Sequence, residues 1–159
     1  MLTRRHIRVK VLQSVYAFNQ SDQSDLDKQE KFLFYSIGQM LDLYLLMLQL
    51  LVEMRNHAEK YLVISQKKHL ATAEEKNPSR KFIDNKVLQL IAENVSLAEA
   101  IKNKKLNYWK HDDEYVGILF KELREQEWYL AYLSQEHTSF QEDLSFVLKV
   151  YKEVIAPND

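Results

Sequence analysis

Four fixed positive charges, a carboxamide and a phenol stand together at the start of this chain: Arg4, Arg5, Arg8, Lys10, Gln13 and Tyr16. No acid precedes Asp22, although the 159-residue protein carries a net charge of only −1. At about 100° per residue, Ile7, Val11, Val15 and Phe18 recur at i, i+4, i+8 and i+11, the pattern of an amphipathic helix. Arg5, His6, Lys10, Gln13 and Gln20 then fall on roughly the opposite face, with Arg4 and Arg8 near the apolar margin. Thr3 suits the N-cap, because its hydroxyl can accept from a free backbone N–H of the first turn.

Arginines at a helix N-terminus need a partner, since the macrodipole disfavours cations there by about 0.3–1 kcal/mol each. A solvated face, or pairing with Asp22, Asp25 and Glu30, would meet that need. So would an anion site, in which guanidinium groups, free helix N–H groups and the dipole converge on a phosphate. Tyr16 and Gln13 add a stacking ring and a base-edge hydrogen-bonder, the pairing expected for single-stranded RNA. Basic helices that bind calmodulin or membrane surfaces have similar composition.

The order Arg4-Arg5-x-x-Arg8-x-x-x-x-Gln13-x-x-Tyr16 resembles the opening of the bacterial transcription antitermination factor NusB family, an arginine cluster followed by Gln-x-x-Tyr. The resemblance rests on motif over about residues 3–20 and on apolar pattern over about 25–64. It implies an all-α fold, with Arg4, Arg5 and Arg8 contacting the RNA backbone and Gln13 and Tyr16 bordering that surface; Lys10 is added on charge alone. It further implies a single-stranded boxA-like RNA of nascent transcripts, the small ribosomal subunit protein NusE as partner, a role in antitermination, and no cofactor. The same domain opens some ribosomal RNA cytosine methyltransferases, so an RNA-binding leader of such an enzyme is an alternative. A helical protein-interaction module docking on an acidic surface is another. No motif-level match follows about residue 64, and the residues from about 69 onward look like an inserted helical section of the sort seen in longer relatives. The chain thus reads as the N-terminal portion of a longer protein.

Two glycines and two prolines, with abundant Leu, Glu, Lys and Gln, predict an all-α helical bundle large enough to fold without staples. The absence of cysteine excludes disulfides and thiolate metal sites. Charges from Arg4 onward interrupt any apolar leader, which makes the cytoplasm the expected location. Helices are expected at about 3–20, at 25–68 with a break near Ser36-Ile37-Gly38, at 82–93, at 96–103 capped by Ser96, from Asp112 or Asp113 to Glu136, and from Thr138 or Ser139 to before Pro157. Residues 1–70 would form the RNA-binding part, 71–81 a proline-bearing loop, and 82–159 a helical section packing on the first. The run Met40–Val52 is apolar nearly all round; Asp42 and Gln49 interrupt it, and it is shorter than the roughly 20 residues a bilayer requires. A buried bundle helix is expected. If the later helices fail to cover it, a homodimer would.

Enzymatic chemistry is not expected. No glycine-rich loop follows a strand, and the five histidines are scattered without metal-ligand spacing. His111-Asp112-Asp113-Glu114 reads as a helix start, and Trp109, Trp128, Tyr129 and Tyr132 read as packing. Lys102, Lys104, Lys105 and Lys110 surround Tyr108 and Trp109, either as a solvated connector or as an auxiliary RNA surface.

Overall fold

With so few helix breakers, the chain is helical over most of its described residues. The structure, a computed structural model, describes residues 3–21, 25–67 and 79–158. Among these residues it is all α, with no strand. The packing divides it into two compact units, Met1–Met47 and Leu48–Asp159. The loop expected at 71–81 lies largely outside the described residues.

In the first unit, α1 (Arg4–Gln20) starts at Thr3 through a capping box. The His6 N–H donates to Thr3 Oγ1, and the Thr3 N–H donates to His6 Nδ1, both at 3.4 Å. Asp25 accepts from the Lys28 N–H at 3.2 Å and thereby caps α2 (Leu26–Gln66). The break expected at Ser36-Ile37-Gly38 does not occur. Ser36 Oγ donates back to the Leu33 carbonyl at 2.9 Å, which satisfies the hydroxyl without opening the helix. A Cβ built on Gly38 would meet nothing within 4 Å. Gly38→Ala is therefore expected to stabilise α2 by about 0.5–1 kcal/mol, through lost chain entropy in the unfolded state. The thermal midpoint, followed by far-ultraviolet circular dichroism, should rise; a fall would mean that this position needs glycine after all.

Length and composition alone would let α2 cross a membrane. Within the second unit, however, its residues Leu50, Leu51, Met54, Ala58 and Ser65 are buried. They share that unit with α3 (Lys86–Ala92), α4 (Val95–Lys104), α5 (Tyr108–His111), α6 (Asp113–Arg124), α7 (Glu127–Ser134) and α8 (Phe140–Val150). A π-helical turn, Tyr151–Ile155, continues α8 and buries Val154 and Ile155. Leu119, Leu123, Val116 and Met54 are wholly inaccessible. Phe82 meets Phe120, Tyr129 and Phe146 at centroid distances of 5.9–6.1 Å, and Tyr132 stacks on Phe146 at 3.7 Å. Trp128 and Tyr129 also pack on Phe146. Gly117 is a point of close approach: a Cβ there would sit 3.3 Å from His57 Cε1.

Several expected helix ends move, each for a tertiary reason. The helix expected from 82 begins at Lys86, because Asn85 is its cap, accepting from the Val87 and Leu88 N–H groups at 3.0 and 3.1 Å. Phe82 and Ile83 are buried in the preceding turn. Asn94, rather than Ser96, caps α4, accepting from the Leu97 N–H at 2.9 Å. Asp112 occupies the N-cap position of α6 without a side-chain cap bond. The long helix expected up to Glu136 is two helices, parted at Glu125-Gln126. Gln126 adopts an extended conformation, and this turn supports the packing of Trp128, Tyr129 and Tyr132 on Phe146. Ser139 caps α8 as expected, in a capping box with Glu142.

The cap of α3 belongs to a buried polar cluster. Asn85 Nδ2 donates to Tyr132 Oη at 2.9 Å and to the Asp143 carbonyl at 3.3 Å. Tyr132 Oη donates to Asp143 Oδ1 at 2.7 Å, and the Lys86 N–H donates to Asp143 Oδ2 at 3.2 Å. Burial pushes the Asp143 carboxyl up, but hydrogen bonds from Thr138, Tyr132 and the Lys86 backbone outweigh it and hold the group below its ordinary value. Burial, with the bond to Asp143, raises the Tyr132 phenol, keeping it protonated and able to donate.

Candidate nucleic-acid interface

The residues marked by charge and spacing all lie on α1, in the first unit. Val11, Ser14, Val15 and Phe18 turn toward α2, where they line a groove with Leu26, Gln29, Glu30 and Leu33. No residue of α1 is fully buried. The side away from that groove is consequently open to solvent along the length of the helix.

Arg5 and Tyr16 fall on this outward side, at i and i+11, while Arg8 lies at the groove margin, about 20° around the helix from Val15. At 1.5 Å rise per residue, the stripe from Arg5 to Tyr16 is about 16 Å long. All three are exposed, Tyr16 at 66%. Arg4 is exposed on the groove side of the first turn, between the directions of Val11 and Val15. Lys10 is only half-buried, but it lies about 140° around the helix from Arg5, so it does not extend the arginine stripe. Gln13 is exposed beside Tyr16, displaced toward the Lys10 side.

Leu12 sits between Arg8 and Tyr16 on the same stripe and is 70% exposed. Sequence reasoning passed over it because it falls outside the i, i+4 apolar series. Its i+4 spacing from Arg8 and to Tyr16 was the available signal. The interface is thus cationic at one end and aromatic-aliphatic at the other.

Among the described residues no acid neutralises these cations. Among the described residues, Arg4, Arg5, Arg8 and Lys10 take part in no ion pair. Asp25, one of the acids expected to pair with them, engages Lys28 at 3.1 Å. Asp22 lies outside the described residues. The capping box modifies the expected anion site: Thr3 already occupies the His6 N–H. Recognition of a phosphate there would fall chiefly to the guanidinium groups, which offer planar, bidentate donors.

Among the described residues no group of three or more His, Asp and Glu is placed to hold a metal ion. The basic connector of the second unit is divided by its fold. Lys102 and Lys110 line a cleft, Lys105 closes α4 in the left-handed conformation (φ 56°), and Trp109 stacks on Tyr115 at 6.0 Å. Comparison with protein-family models, curated proteins and solved structures gave no match.

Proposed function

We propose that this chain is an RNA-binding protein of NusB type that holds single-stranded RNA along the outward side of α1. The observation that carries the reading is the exposed Arg4, Arg5 and Arg8, without an ion pair among the described residues, on one helix with an exposed Tyr16. Three cations at the positive end of a helix dipole repel one another and the dipole. An RNA phosphate relieves both at once.

Arg4, Arg5 and Arg8 would grip phosphates, Tyr16 would supply a stacking face, and Gln13 would reach a base edge from the margin. Lys10, set apart on the helix, would contribute long-range attraction. The proposed target is a boxA-like RNA, with the ribosomal protein NusE as partner and transcription antitermination as the role. Titration of a boxA RNA and a scrambled control at two salt concentrations tests this. Both affinities should fall with salt, and boxA should remain the tighter ligand; absence of binding to either would end the proposal.

Tyr16 gives a separate check. Because its ring is exposed, Tyr16→Ala is expected to leave the fold intact and weaken RNA binding by about 1–3 kcal/mol, whereas Tyr16→Phe binds almost normally. Unfolding of the alanine variant would instead make Tyr16 a packing residue.

The exposed Val9 and Leu12 beside the arginines favour a second reading, a helix that docks on an acidic protein surface. There the aliphatic side chains would supply buried area and the arginines charge complementarity. Its mark would be loss of partner binding in Leu12→Ser with RNA affinity unaltered.

A further inference from the structure

The apolar face of α1 stays open even where α2 adjoins it. Ile7, Val11 and Val15 recur at i, i+4 and i+8 on the side that turns to α2, yet they are 39–51% exposed. Across the groove, Leu26 is 67% exposed. The groove measures about 390 Å³, is lined mainly by apolar side chains and lies wholly within the first unit. An amphipathic helix whose apolar stripe is this exposed lacks a cover.

Charge and spacing along the groove select that cover. Arg4 and Arg8 stand toward one end, and Glu30 lines the groove nearer the connection from α1 to α2. None of the three has an ion pair among the described residues. Because α2 returns alongside α1, Glu30, four residues beyond Leu26, is level with Ser14, four residues before Phe18. Arg8 lies three residues before Val11, and Ser14 three residues after it. A two-fold axis through Val11 therefore sets Arg8 of one copy opposite Glu30 of another. The same axis lays Ile7 on the second copy's Val15 and Val11 on its own equivalent, which is how an i, i+4 ridge packs against itself antiparallel. One centre satisfies both the ridge and the charges. The area suffices as well. The 17 residues of α1 span about 25 Å, and a face two helices wide, each about 10 Å across, offers roughly 500 Å² per copy. The total, about 1,000 Å², meets the lower bound for a specific interface. We propose that the α1–α2 groove is the contact surface of a two-fold homodimer centred on Val11. The proposal does not rest on the RNA reading, since Arg5 and Tyr16 stay on the open side of α1.

Sedimentation equilibrium of the full chain between about 1 and 100 µM tests the proposal. A monomer–dimer equilibrium with a dissociation constant of about 10 µM is expected, in the weak range for so small an interface. Val11→Glu sets two carboxylates against each other at the axis and should leave the chain monomeric throughout. Its helical circular dichroism should persist, because Val11 is exposed. Arg8→Glu and Glu30→Arg, each alone, should weaken the dimer about tenfold, as the symmetry repeats each charge reversal. An equimolar mixture of these two variants should dimerise like the natural chain, since every contact in the mixed pair again joins opposite charges. Dimers that withstand Val11→Glu would overturn the proposal, as would a mixture no tighter than its components. A monomer up to about 100 µM would also overturn it. Loss of RNA affinity in Val11→Glu would then give the groove to RNA instead.

Discussion

Replacing Arg4 and Arg5 together by alanine is expected to lower the affinity for single-stranded RNA about a hundredfold. Each lost guanidinium–phosphate contact is assigned about 1.4 kcal/mol, near the lower end for hydrogen bonds to charged groups, and that amount is tenfold in affinity. The salt dependence gives an independent reading. Three arginine contacts predict a slope of log affinity against log salt of about −2, and the double variant should retain about −0.7. Lys10 is left out of this count because its position around α1 separates it from the arginine stripe. Thermal stability should hold or rise slightly, since two cations leave the positive end of the helix dipole. Competition titrations at two salt concentrations, with a melting curve for each variant, check all three expectations. Unchanged affinity and slope in the double variant would remove α1 as the RNA-binding surface.

Asp143→Ala should produce the largest loss of stability, about 3 kcal/mol. The carboxylate is 2% exposed and receives the Tyr132 hydroxyl and the Lys86 N–H. Removing it strands both donors in or near the core, at about 1–3 kcal/mol for each group left unsatisfied. Asp143→Asn should cost less, because one amide oxygen can still accept. The pH dependence has a definite sign. The folded-state value of Asp143 is depressed, so its contribution is complete above the unfolded carboxylate value of about 3.9 and is lost as the pH falls below it. Denaturant midpoints between neutral pH and pH about 3 should therefore fall more steeply for the natural chain than for Asp143→Asn. Parallel profiles would show that the Asp143 charge adds nothing to the fold.

Much of the local architecture is legible in the sequence because its causes are local. Thr3, Asp25 and Ser139 act on N–H groups three residues ahead, so their capping roles follow from side-chain chemistry and spacing. The all-α class follows from the scarcity of glycine and proline and from the helical recurrence of apolar residues. The basic cluster of α1 is equally visible, since charge in the first turns of a helix has nearby neighbours only. Ser36-Ile37-Gly38 misled because a tolerated glycine and a helix-ending glycine look alike until the backbone is seen.

Where partners come from distant positions, tertiary structure made the decision. Asn85 became a cap because Tyr132 and Asp143, about fifty residues later, fix its side chain; nothing near residue 85 announces them. The parting of α6 from α7 at Glu125-Gln126 has no glycine or proline to signal it, and three aromatic residues after it pack on Phe146. The exposure of Arg5, Leu12 and Tyr16 on the open side depended on which face of α1 turned to the α2 groove. Local chemistry thus suffices for the helical class, for the caps at Thr3, Asp25 and Ser139 and for the charge of α1. Which faces are covered is a matter of long-range packing, since periodicity specifies a stripe but not its partner.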